Sequence, residues 1–177
     1  QGLRIELTGE ANDYVGKGLS GATLVVRPAP QLASPQTNAI IGNTVLYGAT
    51  SGRLFAAGLA GERFGVRNSG AVTVVEGCGT NGLEYMTGGV AVVLGPVGFN
   101  FAAGMTGGMA YVLDLNDRFL TMLNKDSVVV ERIGTRHWEA ELKALVEEHA
   151  RETGSALAET ILRDWDRHLP KFWQVVP

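Results

Sequence analysis

A Ser/Thr-Gly pair recurs along the chain at Ser20-Gly21, Ser51-Gly52, Ser69-Gly70, Thr87-Gly88 and Thr106-Gly107, at intervals of 31, 18, 18 and 19 residues. Each pair opens a short apolar run: ATLVV from Ala22, RLFAA from Arg53, AVTVV from Ala71, GVAVVL from Gly89 and GMAYVL from Gly108. The long first interval holds PAPQLASPQTN, from Pro28 to Asn38, which reads as a loop inserted into an otherwise regular unit. Taking out about a dozen residues restores the period of the other units. A fixed period with a strand in every unit is the signature of a solenoid.

The glycine content supports that reading. Glycine makes up 24 of 177 residues, about twice the usual share of roughly 7%. The glycines alternate with Val, Leu, Ile and Phe rather than with Ser and Gln, so they mark corners of a folded chain and not a flexible linker. The opening GLRIELTG sets Leu3, Ile5 and Leu7 against Arg4 and Glu6, a half-buried strand with a turn at Gly9. Later units predict a first short strand (VLYG from Val45, RFGV from Arg63, LEYM from Leu83, FNFAAG from Phe99), then the Ser/Thr-Gly corner, then a second strand. Stacked coils would lie about 4.8 Å apart and pair backbone to backbone. Hydroxyls stacked at the corner would bond to neighbouring backbone.

Residues 1–133 are thus expected to form the glycine-repeat solenoid, and residues 134–177 a helical tail. In the tail, Trp138, Leu142, Leu145, Val146 and His149 share one helical face, with Thr135 as cap and Gly154 as stop. Ser155 caps a second helix whose stripe is Leu157, Ile161, Leu162, Trp165 and Leu169, ending before Pro170. The pair is expected to cover an open solenoid edge. Docking on a neighbouring domain is the alternative.

Several function classes recede on composition. Fifteen Lys and Arg against eighteen Asp and Glu give a net charge of -3, with no basic run, which argues against nucleic acid as main partner. A single cysteine, Cys78, excludes an internal disulfide, a cysteine-held iron–sulfur cluster and a zinc ribbon, and fits a reducing, cytosolic setting. No apolar stretch reaches the roughly 18 residues of a membrane span, and the N-terminus lacks a signal-peptide pattern.

Two stretches match G-x-G-x-x-G: Gly16 to Gly21 and Gly77 to Gly82. A dinucleotide fingerprint needs a helix starting within the glycines so that its N-terminus can hold a pyrophosphate. Here ATLVVRP follows the first and LEYMTGG the second, so periodic corners explain both. Cys78 lies on a turn, but His137, His149 and His168 all sit in the tail and lack metal-pair spacing. Among the carboxylates, Glu10 and Asp13 share a turn, Glu62 adjoins Arg63, and Glu76 and Glu84 flank the Gly77 to Gly82 turn, with Glu84 beside Tyr85. Each is read as a solvated or coil-bonded group, and Trp138, Trp165 and Trp173 as packing or domain-contact residues. No catalytic, cofactor-binding or metal-binding residue is assigned. An autonomous enzyme built on Glu84, Tyr85 or Cys78 is the weakest of the readings.

The stretches ANDYVGKGLSG, AGERFGVRNSGAVTVVEG, LEYMTGG and NFAAGMTGGMAYVLD, with the tail LVEEHARETGSALAETILRDWDRHLPKFWQVVP, resemble the C-terminal glycine-repeat domain of the glutamate synthase large subunit. The resemblance covers essentially the whole chain. It implies a mainly β fold, a right-handed single-stranded parallel β-helix ending in a pair of α-helices. It implies a noncatalytic role, holding the amidotransferase and synthase domains in position in an enzyme that makes two glutamates from glutamine, 2-oxoglutarate and reductant supplied by NADPH or ferredoxin. A freestanding β-helix subunit that recruits separate amidotransferase and synthase chains is the alternative. FMN and an iron–sulfur cluster are expected in other parts of the parent enzyme, and none in this chain. The expected partners are the amidotransferase and synthase domains and the small NADPH-oxidising subunit, in the cytoplasm. Within GCGTNGLEYMTGG the family's Asp and Cys are replaced by Thr80 and Leu83, so no role of those two residues carries over.

Overall fold

The computed structural model describes residues 2–31 and 37–177; the middle of the expected insert, residues 32–36, lies outside the described residues. Six strands follow the ladder: β1 (Arg4–Thr8), β2 (Ser20–Arg27), β4 (Ser51–Ala56), β6 (Ser69–Val75), β7 (Thr87–Val93) and β8 (Gly107–Leu113). They pair in parallel in that order, one strand per coil, and build a β-solenoid of about five turns. Two short strands, β3 (Ala39–Ile41) and β5 (Leu59–Ala60), pair in parallel on a second side.

The register sorts the side chains into two layers. Leu54, Ala56, Ala71, Val75, Ala91, Val93, Ala110 and Val112 point into the solenoid and form one core with Leu46, Phe64, Leu83 and Phe101 from the other sides. The column Phe55, Val74, Val92 and Tyr111 points outward, under the tail. Each fully buried Val, Leu or Phe among them stabilises the fold by about 1.5–3 kcal/mol. Strands apolar on both faces are what a parallel sheet covered on both sides requires.

The ladder glycines are fixed by crowding. A Cβ on Gly70 would lie 2.0 Å from the carbonyl oxygen of Thr50, and one on Gly107 2.0 Å from that of Thr87, so stacked coils leave no room for any side chain there. Ser69 Oγ donates to the Ala49 carbonyl at 2.9 Å, the bond across coils expected of the corner hydroxyls.

The third side corrects the sequence reading. The segments at Val45, Arg63, Leu83 and Phe99 are turns rather than short strands. In every coil three alternate residues have left-handed backbone: Tyr14, Gly16 and Gly18; Thr44, Leu46 and Gly48; Arg63, Gly65 and Arg67; Asn81, Leu83 and Tyr85; Asn100, Ala102 and Gly104. Overlapping turn bonds such as Val66 N–H to Arg63 O (3.2 Å) and Asn68 N–H to Gly65 O (3.0 Å) close each segment on itself. The first and last amides then reach the following coil (Arg63 to Thr80 O, 2.8 Å; Arg67 to Glu84 O, 2.9 Å), while the middle amide reaches back (Gly65 to Val45 O, 2.9 Å). A left-handed residue other than glycine costs about 1 kcal/mol or more, and this two-way bonding is what offsets it. One large apolar residue of each turn, Leu46, Phe64, Leu83 and Phe101, points into the core, as it would from a short strand, which is why the sequence reads as one.

After β8 come a four-residue helix α1 (Phe119–Met122), strand β9 (Val129–Arg132), and helices α2 (Arg136–Thr153), α3 (Ala156–Arg163) and α4 (Trp165–His168). A 3-10 turn (Leu169–Lys171) then leads into strand β10 (Phe172–Val176). The α2 cap and stop are as expected: Thr135 Oγ1 accepts the Trp138 amide, and Gly154 is left-handed at φ 69°. The second expected helix breaks at Asp164 (φ -124°, ψ 53°), splitting it into α3 and α4. A further correction concerns placement. The helices lie on the outer face of the long sheet, where Leu142, Val146, Ala158, Ile161 and Trp165 pack on the outward column. The sheet edge is covered by β10, antiparallel to β8 and in turn to β9. The FWQVV run carries the aromatic and β-branched signal of a strand.

Candidate functional site

The densest cluster of buried polar groups joins the solenoid to its helices. Glu76 follows β6, His149 lies on the buried face of α2, and Ser155 caps α3. His149 Nε2 is 3.1 Å from Glu76 Oε1, and Ser155 Oγ donates to the same oxygen. A carboxylate oxygen accepts, so Nε2 is the donor. Thr153 Oγ1 donates to the His149 carbonyl at 2.6 Å, the Ser155 amide donates to Thr153 Oγ1 at 3.2 Å, and the Ala158 amide to Ser155 Oγ at 3.1 Å. His149 Nδ1 finds no partner among the described residues, and the ring leans on Phe55 with centroids 6.2 Å apart.

Serine, histidine and glutamate are the residue types of a nucleophilic triad, but the connectivity is not that of one. A triad serine gives its proton to the imidazole, which the acid then orients. Here serine and histidine both donate to the acid, and all three are buried. The arrangement clamps the α2–α3 elbow to the fourth coil. Sequence reading put His149 on the apolar stripe and Glu76 at a strand end, but nothing in a linear pattern joins residues 73 apart.

The other candidates are dispersed. Cys78 is 9% exposed within the interior core, and burial pushes its thiol up to about 12. No histidine shares that core: His137 rests against Trp138, and His168 Nδ1 meets the Asp164 carbonyl. Glu84 lies 3.9 Å from Arg63, and the Tyr85 ring lies over Gly104, where a Cβ would come within 2.5 Å of it. Asp13 Oδ1 accepts the Asn43 amide at 2.8 Å, and Asn43 Oδ1 in turn accepts that of Glu62 at 2.8 Å, so Glu10 and Asp13 form no pair and Arg63 turns to Glu84 rather than Glu62. Trp165 donates to Glu139 at 3.1 Å and Trp173 to Asp114 at 3.2 Å.

A flavin or dinucleotide phosphate needs free backbone amides at a glycine turn. In the first glycine stretch the Gly18 amide donates to Tyr47 O (2.9 Å) and the Leu19 amide to Gly16 O (3.0 Å). In the second, the amides of Cys78, Gly79 and Asn81 donate to Pro96 O (3.0 Å), Gly61 O (2.9 Å) and Phe99 O (2.8 Å). All of these amides are taken up within the solenoid, and all but that of Leu19 reach a neighbouring coil. Among the described residues no three His, Cys, Asp or Glu are grouped to hold a metal ion, and no helix is long and apolar enough to cross a membrane.

The first coil stands out in a different way. Leu3, just before β1, and Ile5 and Leu7 on β1 are exposed, although Leu24 and Val26, the register partners of Ile5 and Leu7, pack on the solenoid interior. Next to them, depressions of about 240 and 400 Å³ are lined by Glu10 with Ile40 and with Ile41 respectively.

The sequence is similar to parts of known proteins. The chain is 64% identical over 180 residues to the large chain of NADPH glutamate synthase of Azospirillum brasilense, covering 100% of this chain and 12% of that one. It is 55% identical over 177 residues to the ferredoxin-dependent glutamate synthase of Pyropia yezoensis, covering 99% of this chain and 12% of that one. It is 50% identical over 178 residues to the NADH glutamate synthase of Schizosaccharomyces pombe, covering 99% and 8%. The chain thus spans about an eighth or less of these relatives. The GXGXG motif family model matches residues 1–177, and the chain belongs to that family.

Proposed function

We propose that this chain is a noncatalytic structural part of a glutamate synthase large chain, holding the glutamine-hydrolysing and glutamate-forming portions in fixed relative position. The observation that carries the reading is the first coil, where Leu3, Ile5 and Leu7 present solenoid-interior side chains to solvent. An apolar face of this kind is an interaction surface. The high identity to short segments of much longer synthases supplies the partner: other portions of the same polypeptide. In this reading FMN and the iron–sulfur cluster belong to those portions, a small NADPH-oxidising subunit is a further partner, and the compartment is the cytosol.

The test has two arms. The chain expressed alone should show neither glutaminase nor glutamate-forming activity and should purify without flavin; stoichiometric FMN or turnover would sink the reading. In a full-length large chain, Ile5→Glu with Leu7→Glu should leave glutamine hydrolysis in place while glutamate formed per glutamine consumed falls. An unchanged ratio would remove the positioning role.

A further inference from the structure

On the short side of the solenoid two backbone bonds repeat from coil to coil. The amides of Ala60 and Cys78 reach forward, to Gly77 O (2.9 Å) and Pro96 O (3.0 Å), and those of Gly79 and Gly98 reach back, to Gly61 O (2.9 Å) and Gly79 O (3.2 Å). By the same register the Val97 amide and the Gly98 carbonyl face the place of one more coil. The chain does not supply it. It leaves β8 at Asp114, whose carboxylate accepts the amides of Arg118 (2.9 Å) and Phe119 (3.2 Å) and bends the backbone into α1. The Val97 amide and Gly98 carbonyl therefore have no hydrogen-bond partner among the described residues.

The vacated position is a cleft of about 290 Å³ walled by Pro96, Val97, Val112, Leu113, Phe119 and Met122. That volume is at the bottom of the range for small-molecule sites, so it suits one large side chain rather than a nucleotide. Arg118 contributes to the wall and makes no ion pair among the described residues. Asp114, the acid in the lining, has both oxygens occupied, the second also by Trp173 Nε1 at 3.2 Å. The neighbouring Leu115 and Phe99 are 52% and 65% exposed.

We propose that this cleft is a docking site for an extended peptide segment in which a bulky apolar residue is followed by a carboxylate. Three features specify the occupant. The free amide and carbonyl are the donor and acceptor that a strand adding to a sheet edge requires. The apolar cavity beside Val97 takes a side chain. Arg118 is an uncompensated guanidinium, matched by a carboxylate through a forked, charge-assisted pair. The site lies away from the exposed first coil and does not depend on the function proposed above.

The experiment titrates the 15N-labelled chain with the peptide acetyl-Gly-Phe-Glu-Gly-amide and follows amide shifts. Saturable shifts centred on Val97, Gly98, Arg118, Phe119 and Met122 are expected. Replacing Glu by Gln in the peptide should weaken binding roughly tenfold, and Arg118→Ala, an exposed position, should abolish the difference between the two peptides. A peptide N-methylated at Glu should lose binding by a similar factor if backbone pairing contributes. Absence of saturable shifts, shifts confined to the first coil, or equal affinity for the Glu and Gln peptides would overturn the proposal.

Discussion

At the C-terminal end of the solenoid, Phe119 and Leu123 close the interior and β10 bonds along β8, whereas at the other end Leu3 (63% exposed) and Ile5 (51%) stand in solvent above the same interior. Phe119 packs edge-on against Phe101 with centroids 5.5 Å apart, so a four-residue helix is enough to stop the lumen. Beyond it, β9 offers a short outer edge bearing Glu131 and Arg132, and charge on an edge discourages further pairing. The first coil carries Arg4 and Glu6 on its edge strand, but Ile5 and Leu7 stay exposed over the interior. The middle turn amides of later coils reach back, Leu46 to Val15 O (2.8 Å) and Ala102 to Gly82 O (2.8 Å), but the corresponding Gly16 amide has no partner among the described residues. A solenoid has no intrinsic reason to stop, so each end must be terminated by chemistry that interrupts the repeat. Here the interruption at one end is written into the chain, and the other end is left apolar.

The sharpest way to break this comparison is to remove equivalent apolar bulk from each end. Phe172 is fully buried, pairs with Leu113 and lies 6.0 Å from the Trp165 ring. Phe172→Ala should cost about 3–5 kcal/mol in urea unfolding, through lost transfer energy and the cavity left behind. Ile5→Ala should cost well under 1 kcal/mol, because half of that side chain is already wet. Equal losses at the two positions would mean that the first coil is better packed in solution than its exposure implies.

The Glu76, His149 and Ser155 clamp tests whether the helices belong to the closed end or to the middle of the stack. Glu76→Ala leaves a buried imidazole donor and a buried hydroxyl without their acceptor. About 3 kcal/mol should be lost, with hydrogen exchange rising first in α2 and α3. Protection lost equally in β8 and β10 would instead tie the helices to the C-terminal closure.

How much of this is legible in the sequence depends on the range of the signal. The Ser/Thr-Gly corners, the strand after each, the Thr135 cap and the Gly154 stop are local, and a local pattern suffices to place them. The turn wall was misread because its left-handed positions are mostly not glycine: Arg63, Arg67, Leu83 and Tyr85 carry no sign of positive φ. What holds them there is bonding to the coils above and below, a tertiary cause. The Glu76–His149 pair and the sheet position of β10 are likewise long-range, and no periodicity encodes which strand a terminal FWQVV will meet. The cleft beside Val97 was invisible because it exists only where the repeat fails.

Between the two ends, Cys78 reports on the integrity of the interior. Burial raises its thiol above its ordinary value to about 12, with the Gly98 backbone pulling the other way. From about pH 8.5, where an unfolded thiol begins to ionise, up to 12, the native state binds more protons than the unfolded one. Stability should therefore fall as pH rises through that window, by up to about 1.4 kcal/mol per pH unit. Urea unfolding between pH 8.5 and 9.5 isolates this effect from Tyr111, whose phenol is also pushed up by burial and by Glu141. Cys78→Ala should flatten the slope; an unchanged slope would assign it elsewhere.

The smallest expected effect on stability falls on the bare end, and there it carries the most information. Ile5→Gln with Leu7→Gln removes apolar surface that is largely solvated in this chain, so unfolding of the isolated chain should shift by no more than about 0.5 kcal/mol. Self-association is the quantity that should move. An edge strand with an apolar row and unpaired amides templates contacts between copies, so sedimentation should show a concentration-dependent species in the parent chain that the double variant lacks. The two charged residues that alternate with them, Arg4 and Glu6, pair with Glu152 and Arg27 and so hold β1 in place from the outer face without shielding the inner one. If the double variant unfolded several kcal/mol more easily, β1 would owe its order to its own apolar row. If it unfolds normally and only the association disappears, that row contributes nothing to this chain's fold, and its apolar character is explained by what it is shaped to meet.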